Sequence, residues 1–179
     1  MSKEVFVEEI VNRLCEEYNV PRNFEIHTGF VARKYMSARD LKGFYGEGRS
    51  KRIMGINFDK VDTPKEIRAT VMHEFRHVWQ YTYYHDLTEY WSNWTRKHGE
   101  DFGKDAYLFS PIELDANRFA KSDGTLDDDS VLIAVPASQY PAREFGELVY
   151  LAGKIASRSV ELVRPEVLVY LQERGFLAK

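Results

Sequence analysis

Two histidines four residues apart, with a glutamate directly after the first, form the pentad His73-Glu74-Phe75-Arg76-His77. On a helix, side chains four apart share one face, with Cβ atoms ~5–6 Å from each other. Two imidazoles placed this way can both reach one Zn2+ at ~2.0–2.1 Å. Glu74 sits one step round the helix, beside such a metal rather than on it. There a carboxylate can act as the general base that takes a proton from zinc-bound water. The spacing is that of metalloproteases. The alternative is a solvated helix turn that carries these residues without a metal.

A catalytic zinc takes three protein ligands, and two histidines with one glutamate form such a set. Glu113 is the candidate third ligand, within Ser110-Pro111-Ile112-Glu113-Leu114-Asp115-Ala116-Asn117-Arg118-Phe119-Ala120. Glu113 and Asn117 are four apart and share a helical face, and the small Ala116 and Ala120 allow close approach to the His73–His77 helix. Asn117 is then placed to accept a hydrogen bond from a ligand imidazole and fix its tautomer. A competing role for Glu113 is the N3 carboxylate of a capping box with Ser110. Asp115 points elsewhere on the helix and is expected at the surface. A peptidase also needs a group to stabilise the oxyanion. Tyr107, just ahead of the Glu113 helix, is the first candidate, before His98, His85 and Tyr81; the competing role is a core or rim tyrosine.

The elements that must hold these residues are readable from periodicity. Residues 3–18 predict a helix with Val7, Ile10, Val11 and Leu14 on one face, ended by Pro21. Residues 24–31 predict a strand. Gly43 to Gly48 predicts a turn. Arg52 to Asp59 predicts a second strand with Met54, Ile56 and Phe58 on one face, either a core strand or an edge able to pair with an extended peptide. Thr63, Pro64 and Glu66 supply an N-cap, an N1 proline and a capping box. The helix they start should reach about Tyr84, burying Ile67, Val71, Phe75, Val78 and Thr82. Further helices are expected near 87–98, from Ser110-Pro111 to Lys121, and over 142–160 and 165–174, with a solvated turn at 124–129. Early strands and late helices make an α+β order.

The pentad followed by Glu-x-x-x-Asn on a later helix resembles the gluzincin branch of zinc peptidases. Within it, the stretch from Glu113 to Ala120 is similar to the Glu-x-Glu-Ala-Asn-x-Phe-Ala of ImmA/IrrE-type metallopeptidases. The resemblance covers roughly residues 52–121 and extends to minimal peptidases of phage or mobile-element type. It implies His73, His77 and Glu113 as metal ligands, Glu74 as base and Asn117 in support. It also implies a zincin-like α+β fold: a small antiparallel or mixed sheet packed on the active-site helix, with a sheet edge over that helix and a mostly helical C-terminal half.

The 179 residues suit one domain spanning 1–179. With 44% hydrophobic and 14% aromatic residues the chain can bury a core, which excludes disorder as its main state. No apolar run approaches the ~20 residues of a membrane helix. Glu8 and Glu9 stand where a secretion signal needs an apolar stretch. The single cysteine, Cys15, fits a reducing compartment and reads as a small buried hydrophobe, so a cytoplasmic location is expected. A net charge of −3 gives no global polycation, although residues 33–52 hold seven basic residues against two acids. That segment is either a solvated loop or a surface for an acidic partner or nucleic acid. The dense aromatic group from Trp79 to Trp94 is expected to pack the pentad helix. The function expected is a zinc-dependent endopeptidase acting on a protein or peptide substrate. The alternative is a zinc-containing binding or regulatory module without turnover.

Overall fold

The computed structural model describes residues 1–29, 32, 41–47, 51–102, 107 and 110–124. They form a mixed α+β arrangement of four helices and a three-stranded sheet: α1 (Lys3–Glu17), β1 (Glu25–Thr28), β2 (Gly43–Glu47), β3 (Arg52–Ile56), α2 (Pro64–Tyr83), α3 (His85–Phe102) and α4 (Pro111–Lys121). The helices expected over 142–160 and 165–174, and the turn expected at 124–129 beyond its first residue, lie outside the described residues. Two compact units are formed. The first holds Met1–Tyr83 with the part of α4 from Ala116 onward, and the second includes Tyr84–Asp115. Among the described residues no helix is long and apolar enough to cross a membrane.

In the first unit, α1 starts at Ser2, whose side chain accepts from the Val5 N–H. The helix buries Val7, Ile10, Val11, Leu14 and Cys15, the stripe its periodicity predicts. It ends in a Schellman motif: Asn19 takes a left-handed φ of 53° and the Val20 N–H donates to the Cys15 carbonyl at 2.9 Å. The same device ends α4, with Asp123 at φ 58° and the Gly124 N–H donating to the Phe119 carbonyl at 3.0 Å.

The sheet has the order β1-β3-β2, with β1 parallel and β2 antiparallel to β3. Two expectations are corrected here. Gly43 to Glu47 is a strand rather than a turn, pairing Gly43 with Ile56 and Tyr45 with Met54. The segment expected over 52–59 stops at Ile56 and is the central strand, so among the described residues the outer strands are β1 and β2. Asn57 ends it: its N–H and side-chain amide donate to the Lys42 and Leu41 carbonyls, and its Oδ1 accepts from the Asp59 N–H. An asparagine that bonds the backbone two residues on makes a turn and closes the ladder. Met54 and Ile56 are fully buried, while Phe58 lies beyond the strand.

Helix α2 starts as its capping signals require. The Glu66 N–H donates to Thr63 Oγ1 at 3.2 Å and the Thr63 N–H donates to Glu66 Oε2 at 3.1 Å. It packs against α1, β2 and β3. Ile67, Val71, Phe75 and Val78 are buried as expected, and Thr82 is half-buried. Glu74, Arg76, His77 and Gln80 are buried as well, so α2 is covered on more than its apolar stripe. Tyr18, Phe75 and Phe119 meet at centroid distances of 5.4–6.4 Å, which ties α1, α2 and the end of α4 into one core. Arg68 holds Asp123 through two hydrogen bonds of 2.8 and 3.0 Å. In the second unit, Thr88 and Trp91 of α3 are buried, and the Thr88 hydroxyl donates to the Tyr84 carbonyl.

Candidate metal centre

The pentad lies in the middle of α2. The rings of His73 and His77 meet edge to face at a centroid distance of 4.8 Å, and their Nε2 atoms are 3.2 Å apart. Two atoms each ~2.0–2.1 Å from one tetrahedral metal stand about 3.3 Å apart, so the imidazole pair fits a shared ion. The second nitrogen of His77, Nδ1, is 2.8 Å from Gln80 Oε1, and Gln80 is completely buried.

Glu113 is brought in by α4. This helix is unbroken, and Phe119 and Ala116, both fully buried, anchor its later part. Glu113 is one turn earlier on the same rod. Ser110 caps the helix, its Oγ accepting from the Glu113 N–H at 3.4 Å. The Ser110 N–H donates to the Tyr107 carbonyl at 3.2 Å. His73, His77 and Glu113 each offer one ligand atom, and these atoms lie within 4.8 Å of one another. Glu113 and His77 are buried and His73 is half-buried. The donor set of two imidazoles and one carboxylate suits zinc.

Glu74 is buried beside this group and faces β2. A Cβ at Gly43 would sit 2.7 Å from Glu74 Oε1 and 2.8 Å from Thr70 Cγ2. The β2 backbone therefore passes directly over the carboxylate. Two residues on, the Tyr45 ring packs at a tilt against Tyr81, with a centroid distance of 5.5 Å. Tyr81 follows His77 by four and so continues the imidazole face of α2.

The remaining expected residues differ in exposure. Asn117 is exposed on α4, and the group that meets His77 Nδ1 is Gln80. Asp115, expected at the surface, is fully buried. Tyr107 is half exposed, at 50%. His85 is exposed beside Asp86. His98 has no described side chain. Of the basic segment, Arg33, Lys34, Arg39 and Arg49 lie outside the described residues, and Lys51 pairs with Glu25. Of the aromatic group, Trp79 and Trp91 are buried while Tyr83 and Tyr90 are exposed. Gln80, Gly43 and Tyr45 escape sequence reasoning. Gln80 had one available signal, its position three residues after His77, next to it on the helix surface.

Compared with known proteins, the chain matches no family model, no curated protein and no solved structure.

Proposed function

We propose that this protein is a zinc-dependent endopeptidase, with His73, His77 and Glu113 as ligands and Glu74 as general base. The observation that carries the proposal is the convergence of three ligand atoms within 4.8 Å, beside a buried carboxylate that does not belong to the set. Bound zinc would supply Lewis acidity toward the scissile carbonyl and lower the pKa of an attacking water. Glu74 would take a proton from the attacking water and return it to the leaving amine. Among the described residues β2 is an outer strand, and its backbone beside Glu74 would pair with an extended protein or peptide substrate. Tyr81 and Tyr107 are the candidates for stabilising the oxyanion. The gluzincin resemblance, with its zincin-like sheet edge over the metal helix, accords with this arrangement.

Elemental mass spectrometry of the purified chain tests the metal. About one zinc per chain is expected, lost or sharply reduced in Glu113→Ala. Glu74→Gln separates an enzyme from a non-catalytic zinc module. It should keep the metal and lose about 10²–10⁴-fold in peptide hydrolysis. Failure of the wild-type chain to take up metal even after zinc is added would overturn the proposal.

A further inference from the structure

Resting on the metal-centre proposal, we infer that Gln80 is a positioning residue, which holds His77 in the tautomer whose Nε2 lone pair faces the ion. A neutral imidazole carries one ring proton, and either nitrogen can hold it. The two nitrogens of His77 have different surroundings. Nε2 lies 3.2 Å from Nε2 of His73, on the side where the ligand atoms gather. Nδ1 lies 2.8 Å from Gln80 Oε1, where both residues are buried. A proton on Nδ1 makes a hydrogen bond to the amide oxygen and leaves Nε2 as a lone pair. A proton on Nε2 sets the Nδ1 lone pair against that oxygen and blocks the ligand position.

The placement is local and rigid. Gln80 follows His77 by three residues, so the helix itself holds the two side chains together. Its complete burial excludes bulk water as a competing partner. A partner at the far nitrogen of a metal-bound histidine fixes both ring orientation and tautomer, and its removal typically costs 10–100-fold in metal affinity. Asn117, the residue expected in this role, is exposed on α4.

The test is a zinc titration of the chain against a chromogenic chelator. Gln80→Leu should bind Zn2+ about 10–100-fold more weakly than wild type. Gln80→Glu, which restores an acceptor oxygen, should bind at least as tightly as wild type. Circular dichroism checks that both variants are folded. Equal affinity of a folded Gln80→Leu and wild type overturns the inference while leaving the metal centre intact. Long-range proton–nitrogen NMR of the metal-free wild-type chain reads the tautomer without any variant. His77 should carry its proton on Nδ1, and a proton on Nε2 overturns the inference even if Gln80→Leu does not fold. A wild-type chain that takes up no zinc overturns the peptidase proposal and the positioning role together.

Discussion

Gly43 and Glu74 meet where β2 crosses α2 with no room for a methyl group, since a Cβ would fall 2.7 Å from the carboxylate oxygen. Gly43→Ala must therefore displace either β2 or the proposed base. Misplacing a reacting group by about 1 Å can cost 10²-fold in rate. We expect the variant to keep its zinc stoichiometry and to lose about 10–100-fold in peptide hydrolysis; unchanged hydrolysis would remove Gly43 from the site. Arg76 shows a different use of a charge. Its guanidinium lies 3.7 Å from the Trp79 ring centroid and 5.1 Å from that of Phe119, almost wholly buried. It spreads over aromatic faces in the core rather than reaching for solvent. Cys15 is buried, and burial pushes its thiol above the ordinary range. It should react with a thiol reagent only when the chain unfolds, as a spectrophotometric assay with and without denaturant would read.

Among the elements, α2 depends most on its first turn. Thr63→Ala removes the acceptor for the Glu66 N–H and should destabilise the protein by about 1 kcal/mol in chemical denaturation. The Glu66 carboxylate is held below the usual range by the Thr63 N–H and hydroxyl, and that of Asp123 by Arg68. Lowered values in the folded state mean that the stabilisation is present at neutral pH and disappears as pH falls through the folded-state values. In excess chelator, the melting temperature should drop as the solution is acidified through the carboxylate range. Glu66→Gln should blunt part of that drop; a drop equal to that of wild type would remove the capping box as a cause. The helix α4 relies on its aromatic anchor. Phe119 is fully buried against Tyr18 and Phe75, so Phe119→Ala should cost about 3–5 kcal/mol.

For the molecule as a whole, zinc held at the proposed site would stabilise the folded state by mass action. At a free zinc concentration 100 times the dissociation constant the gain is about 2.7 kcal/mol. For a chain of 179 residues this raises the melting temperature by about 5–10 °C. Scanning calorimetry with zinc and with excess chelator would read the shift. His77→Ala should melt at the same temperature in both, whereas a zinc-dependent shift in that variant would place the ion elsewhere.

Legibility in the sequence followed the range of the interactions. His73, Glu74 and His77 could be read because helical spacing places them within one turn of one another. The caps at Thr63 and Ser110 could be read because a capping side chain bonds backbone no more than three residues away. Glu113 was reachable through the helix signal of Ser110-Pro111, and the Ser110 cap is observed. β2 was not legible. Gly43 and Gly46 weaken local strand preference, and the ladder to β3 comes from pairing across the intervening residues. Gln80 and Asp115 are polar, and polar side chains are ordinarily exposed. Their burial, like the exposure of Asn117, follows from packing partners distant in the chain, which periodicity along one helix does not encode.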